Sequence, residues 1–417
     1  MEIRRDMLLG RLMDLRHNGM IKVITGMRRC GKSYLLFNLF ANALKAEGVD
    51  EDHIVKINLE DRRNKRLRNP DMLLAYIDGK LLDDKMHYVL LDEVQMVSEF
   101  EDVLNSYLHV KNADVYVTGS NARFLSKDVI TEFRGRGYEL RIHPLSFREV
   151  REARPDIPVE QLWVDYMTYG GLPQVQTMLS NKERMDYLKG LFLHTYLKDI
   201  KERYAIRLDD DLAELIATLA SAVGGLTNYR KLADTFRSVK KSPISQDTIK
   251  MYIDYLQDAF IVERALRYDI KGKRYIDTPS KFYFEDLGLR NALLNFRQVE
   301  KAHLMENAIY NELRIREMAV DVGEVIWNTQ DKTGKKVRKN LEVDFVCNQG
   351  YKRFYIQSAF GIPDDGKREQ ELQSLRRIDD SFQKIVIVGD HSPRYQNEEG
   401  ILFMDIYDFL LDGGGVE

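Results

Sequence analysis

Eight consecutive residues constrain this chain more than any others: Gly26-Met27-Arg28-Arg29-Cys30-Gly31-Lys32-Ser33. They follow an apolar run, Ile21 to Thr25, that reads as a buried strand, and a helical segment opens at Lys32. A turn with a glycine at each end can wrap so that successive backbone N–H groups face one point in front of a helix N-terminus. Such a point is an anion site. The pattern G-x-x-x-x-G-K-[ST], in this strand–turn–helix setting, predicts a loop around the phosphates of a nucleotide such as ATP. The segment expected to bind it is Gly26, Met27, Arg28, Arg29, Cys30, Gly31, Lys32, Ser33 and Tyr34. Lys32 is expected on the β- and γ-phosphates, and the Ser33 hydroxyl on Mg2+. Cys30 occupies an unspecified position of the pattern and is expected to have no chemical role.

A second run, Tyr88-Val89-Leu90-Leu91-Asp92-Glu93, is an apolar strand ending in two carboxylates. Downstream of the loop, Asp92 is expected to hold the metal and Glu93 to polarise the water that attacks the γ-phosphate. Phosphoryl transfer asks a protein for position and charge neutralisation, and these side chains supply both.

The two motifs sit in a repeating pattern. Apolar strands are expected at 21–25, 53–59, 88–92 and 114–119, separated by helical stretches. Strands with no wet face, alternating with helices, predict a parallel α/β sheet covered on both sides. From Glu149 to about Phe260 the periodicity is helical, and from Val322 strands return. The division expected is 1–150, 151–290 and 291–417. A chain of 417 residues is long enough for two or three domains. With 44% hydrophobic and 31% charged residues it reads as globular, and its net charge of -3 excludes a protein that coats nucleic acid through overall charge. Two distant cysteines, Cys30 and Cys347, give neither a disulfide framework nor metal-ligand spacing. Without a signal-peptide core or a membrane-length apolar run, the expected location is cytoplasmic, with no membrane partner.

Further signatures accompany the loop: L-L-D-E-V-Q (Leu90 to Gln95), T-G-S-N (Thr118 to Asn121), R-G-R (Arg134 to Arg136) and P-L-S-F (Pro144 to Phe147). Beyond them lie Gly170-Gly171-Leu172-Pro173, K-F-Y-F-E-D-L-G-L (Lys281 to Leu289) and Glu306-Asn307. Together they resemble a largely uncharacterised prokaryotic family of AAA-type P-loop ATPases with a C-terminal restriction-endonuclease-like domain. The resemblance covers nearly the whole chain. It implies an ATPase module, a helical lid, a winged-helix-like region and a nuclease-like tail. By the same likeness Asn121, with Ser120 as second choice, is expected to orient the attacking water from the strand beside Asp92. Capping the following helix is the plainer role for both. Arg134 or Arg136 stands where such proteins place an arginine finger, acting on the nucleotide of a neighbouring subunit or of its own. A surface loop explains them equally well. No second sensor arginine stands out in the helical region.

In the middle region, Asn228 to Phe236 and a helix N-capped by Ser245 and running to Asp258 precede a hairpin-like stretch, Arg267 to Tyr275. That is the order of a winged helix. Ile249, Tyr252, Ile253 and Leu256 form an apolar face, leaving Gln246, Asp247, Lys250 and Met251 outside. Residues 226–281 carry twelve basic and seven acidic side chains. Lys271, Lys273 and Arg274 are candidates for phosphate contacts with DNA. The exposed helix face carries no arginine, which favours a spacer or protein-contact role.

A nuclease-like tail needs a helix carboxylate, a strand Asp and then (D/E)-x-K on the next strand. Glu306 or Glu312 fits the first, although surface residues of a helix are the expectation for both. Asp344 fits the second. Gln357 and Ala359 stand where the acid and lysine are wanted, so the tail is expected to keep the fold without cleavage. The function expected is an ATP-dependent switch hydrolysing ATP to ADP and phosphate with Mg2+. The alternative is an ATP-regulated DNA-binding protein or a DNA-acting nuclease using the C-terminal domain. Expected partners are ATP and ADP, DNA through the middle region, a protein partner, or further copies of the chain.

Overall fold

The computed structural model describes residues 3–119, 133, 135–206, 209–297, 299–330, 336–362 and 364–412. The chain forms two compact units. Unit 1 takes Met1–Leu145, Leu172–Gln174 and Asp258–Phe260; unit 2 takes Ser146–Gly171, Val175–Gln257 and Ile261–Glu417.

Unit 1 is an α/β domain on a five-stranded sheet. Its strands are β1 (Ile21–Thr25), β2 (Ile54–Asn58), β3 (His87–Asp92), β4 (Ala113–Thr118) and β5 (Gly137–Arg141). All pairings are parallel, in the order β2-β3-β4-β1-β5. Val23, Val89, Leu91, Val115 and Val117 lie in one buried cluster with helix residues Leu73, Ile77, Val103 and Leu104. Burial on both faces is why β1, β3 and β4 read as largely apolar runs, with Lys22 in β1 and Asp114 in β4 buried as an ion pair. The first four strands match the sequence expectation. The fifth is absent from it, because this edge strand buries only Leu140 and its run of Gly, Tyr, Glu and Arg carries no apolar pattern. The order has one consequence for the site. Since β4 separates β1 from β3, the loop after β1 and the carboxylates after β3 flank the end of β4.

In unit 2 the helices Tyr229–Val239 and Gln246–Asp258 match the expected pair, with Ile249, Tyr252, Ile253 and Leu256 buried. Ser245 Oγ accepts from the Thr248 N–H, the expected cap. The hairpin that follows is longer than a wing. Its strands β6 (Val262–Asp269) and β7 (Arg274–Phe284) form the edge of an eight-stranded sheet with β8 (Ala319–Gln330), β9 (Lys336–Gln349), β10 (Lys352–Ala359), β11 (Gln383–Val388), β12 (Tyr395–Gln396) and β13 (Leu402–Asp405). The order is β12-β13-β11-β10-β9-β8-β6-β7. β6 pairs with β8 in parallel, Arg267 to Asp269 against Val322 to Glu324. The sheet therefore runs across the boundary expected near 290. Parallel pairing joins strands that are remote in sequence, which local patterning cannot register.

The later sequence signatures meet one another within unit 2. Asp286 accepts from the N–H groups of Gly171 (2.8 Å) and Leu289 (2.9 Å). A Cβ on Gly288 would collide with the Tyr169 carbonyl, so glycine is required at this close approach. Asn307 clamps the backbone of Phe284, accepting from its N–H and donating to its carbonyl, both at 2.8 Å.

Candidate functional site

The loop 26–31 leaves β1 and enters a helix built from Lys32–Tyr34, a π-helical stretch Leu35–Phe40 and Ala41–Ala46. Leu35, Leu36, Leu39 and Phe40 anchor this helix in the core. Two glycines permit the turn. Gly26 has φ +140°, and a Cβ there would overlap the Ile142 carbonyl; Gly31 has φ +103°. Arg29 also takes a positive φ, 64°. Lys32 is 4% exposed, and its Nζ donates to the carbonyls of Gly26 and Met27, each at 2.9 Å. Met27 and Cys30 are buried, Arg28 pairs with Glu60 at 2.9 Å, and Arg29 and Tyr34 face solvent. Cys30 Sγ lies 3.6 Å from the Ile142 carbonyl, a packing contact.

Behind the loop, Ser33 and the two carboxylates converge. Ser33 Oγ donates to Asp92 Oδ1 at 2.8 Å, and Thr118 Oγ1 donates to the same oxygen at 2.6 Å. Thr118 Oγ1 in turn accepts from the Glu93 N–H at 2.9 Å. Glu93 has φ 56°, left-handed backbone that a non-glycine residue adopts only when its surroundings hold it. Gln95 Nε2 donates to its carboxylate. Burial raises the Glu93 pKa above the ordinary carboxylate value, Lys32 opposes that shift, and the charge of Asp92 adds to it. A serine hydroxyl and a carboxylate sharing one hydrogen bond form an oxygen donor set suited to a hard cation such as Mg2+. The residues present thus fit the expected metal.

Thr118, Gln95 and Arg5 belong to this arrangement and were missed by sequence reasoning. Arg5 is buried, and its guanidinium donates to the carbonyls of Cys30 (3.1 Å) and His143 (3.0 Å), tying the loop to the segment after β5. Nothing local marks an N-terminal arginine for that task. Thr118 stood inside a quoted signature, and only the strand order brings it between Asp92 and Glu93. Pro173, from Gly170-Gly171-Leu172-Pro173, packs 3.7 Å from where a Gly31 Cβ would stand.

Asn121, Ser120 and Arg134 lie outside the described residues. Arg136 is described. Its carbonyl accepts from the Ile21 N–H at 2.9 Å, at the start of β1. The phosphate loop follows the far end of that strand, roughly 15 Å away at 3.3 Å per residue. The expectation that Arg136 could act on the chain's own nucleotide is therefore corrected.

The tail departs from expectation in two ways. Glu306 and Glu312 are buried, not surface residues of their helix. Glu312 pairs with Arg316 at 2.9 Å, whereas Glu306 receives Lys281 Nζ at 2.8 Å and Tyr283 Oη at 2.7 Å. Lys281 also reaches Glu342 (2.7 Å) and Asp344 (3.6 Å). Asp344 is buried beside Glu306, and desolvation first, then that neighbouring charge, pushes its pKa up to about 7. Gln357 and Ala359 stand on the other side of the sheet. Gln357 donates to Glu371 at 3.1 Å, and Ala359 packs with Leu372 and Leu375. Thus Lys281, on β7 and separated from β9 by β8 and β6 in the sheet order, places an ammonium beside Asp344.

One family model agrees with the fold of unit 1. Residues 18–151 match a family model described as an AAA domain, and residues 160–300 match a domain of unknown function. An uncharacterized protein of Methanocaldococcus jannaschii is 26% identical over 89% of this chain and 82% of its own length. Among solved structures, the Aeropyrum pernix ORC1 protein in complex with DNA is similar at 13% identity and a TM-score of 0.29, covering 71% of this chain and 93% of that one. An uncharacterized protein of Haemophilus influenzae is 32% identical over 98% of both chains. This chain belongs to the same family as that Haemophilus influenzae protein, with an AAA domain at residues 18–151.

Proposed function

We propose that unit 1 binds ATP and hydrolyses it to ADP and phosphate with Mg2+, and that the protein works as a nucleotide-dependent switch. The observation that carries this is the hydrogen-bonded chain Ser33–Asp92–Thr118–Glu93 behind a loop whose Gly26 cannot accept a Cβ. In this reading the loop amides and Lys32 Nζ hold the β- and γ-phosphates, Lys32 exchanging its two carbonyl partners for phosphate oxygens. Ser33 and Asp92 would hold Mg2+, which supplies charge neutralisation on the phosphates. Glu93 orients the attacking water and accepts its proton, while Thr118 and Gln95 fix the positions of the two carboxylates. The test is nucleotide affinity and phosphate release on wild type, Lys32→Ala and Glu93→Gln. Lys32→Ala is expected to lose ATP affinity, and Glu93→Gln to retain ATP with turnover nearly abolished. Wild-type affinity in Lys32→Ala would sink the reading.

For the tail we propose a structural role without cleavage. Lys281 contacts Glu306, Glu342 and Asp344 together, so its single charge serves the carboxylates that a metal would otherwise need. Plasmid incubated with Mg2+ and ATP is expected to stay intact; nicking that is lost in Asp344→Asn would overturn this. DNA binding remains a separate proposal, resting on the exposed Lys271, Lys273 and Arg274 at the β6–β7 turn. Its signature is salt-dependent affinity that falls when the three are changed together.

A further inference from the structure

At the end of the five-stranded sheet opposite the phosphate loop, β2 and β3 begin side by side. Ile54 is paired with Tyr88, so His53 and His87 stand next to each other, with ring centroids 4.5 Å apart. Asp83, in the segment that enters β3, points its carboxylate at His53 Nε2, 3.1 and 3.2 Å from its two oxygens. One donor atom from each of His53, Asp83 and His87 lies within 4.8 Å of the other two.

A second observation points to a ligand. His87 Nδ1 lies 2.8 Å from the Lys85 carbonyl, an oxygen that only accepts, so Nδ1 carries the proton. The lone pair is therefore on Nε2, whose partner is the Leu82 N–H at 3.2 Å. A backbone carbonyl that fixes the tautomer and aims the other nitrogen is the usual support of a metal-bound imidazole. Asp50 Oδ2 lies 3.9 Å from His53 Nδ1, a charge nearby and not a hydrogen bond. Both imidazoles are buried, while Asp83 is exposed and leaves the group open to solvent.

We propose that His53, Asp83 and His87 form a site for a divalent transition-metal ion of the zinc type. Two imidazole nitrogens and one carboxylate oxygen are borderline donors, which select Zn2+, Co2+ or Ni2+ over Mg2+ and Ca2+. The ion replaces the His53–Asp83 hydrogen bond and the Leu82 N–H contact, and water completes a tetrahedral shell. It pins the 79–86 segment to the starts of β2 and β3. β3 carries Asp92 and Glu93 at its other end, about 17 Å from His87 at 3.3 Å per residue, so this site is separate from the nucleotide site.

The experiment uses the full-length chain without a histidine tag, stripped of metal and titrated with ZnCl2 by calorimetry in millimolar Mg2+. Wild type is expected to bind one equivalent and to melt at a higher temperature with it. Asp83→Asn and His53→Gln are expected to weaken binding by at least ~10-fold, and Lys32→Ala to leave it unchanged. Because Asp83 is exposed, its variant keeps the test informative should His53→Gln fail to fold. Absence of binding at micromolar Zn2+, or binding undiminished in Asp83→Asn, would overturn the proposal.

Discussion

The Thr118 hydroxyl hydrogen-bonds Asp92 Oδ1 at 2.6 Å while accepting from the backbone N–H of Glu93 at 2.9 Å, so one side chain at the end of β4 positions both carboxylate residues after β3. Thr118→Val keeps the shape and removes both bonds. It removes the hydroxyl that receives the Glu93 N–H, which costs about 1–3 kcal/mol of stability. Turnover is expected to fall by ~10-fold or more with ATP affinity changed far less, and Thr118→Ser to restore it. Steady-state ATPase and nucleotide titration check this pair.

Glu93 accepts a proton only when ionised, and burial raises its pKa above the ordinary value. Turnover should therefore rise with pH through that raised pKa and level off above it. A pH profile of kcat for wild type is expected to show this acidic limb. A limb persisting in the residual activity of Glu93→Gln would assign it elsewhere.

The tail cluster gives a stability signature. Asp344 titrates near 7 in the folded protein and near 3.8 when unfolded, so between these values the folded state holds the extra proton. Stability should then fall as pH rises from about 4 to about 7, by up to a few kcal/mol, and stay level above. Asp344→Asn should flatten that slope in urea melts. Lys281→Met strands buried carboxylates and is expected to cost about 3–5 kcal/mol.

The two loop glycines should respond differently to alanine. At Gly26 the new Cβ meets the Ile142 carbonyl and the backbone must move, so loss of ATP binding is expected along with about 1–3 kcal/mol or more of stability. At Gly31 the nearest atom is Pro173 Cγ at 3.7 Å, leaving only the strain of φ +103°. That strain costs about 1–3 kcal/mol with binding weakened and not abolished. Thermal melts with and without ATP separate the two.

Arg136 sits at the opposite end of β1 from its own phosphate loop. Any role at a nucleotide would need a second copy of the chain. If it has one, specific ATPase activity should rise with protein concentration, and Arg136→Ala should remove that rise while leaving the dilute rate intact.

The phosphate loop was legible because its chemistry is contiguous. Gly26 to Ser33 lie on one turn between one strand and one helix, and their spacing alone dictates where the amides and the ammonium go. Asp92 and Glu93 were legible for a similar reason, at the end of a strand too apolar to be anywhere but inside. β5 was not, since it buries only Leu140 of its five residues and so shows no apolar pattern.

What the sequence determined by itself was the α/β character of unit 1, its first four strands and the residues of the loop. Each follows from local periodicity or a short motif, where neighbours in sequence are neighbours in space. Only tertiary structure decided that Thr118 stands between Asp92 and Glu93, that Arg5 braces the loop at Cys30, and that Lys281 meets Glu306 and Asp344. Strand order and parallel crossovers make those contacts, joining residues 25 to more than 60 positions apart, a distance over which no side-chain pattern is written into the chain.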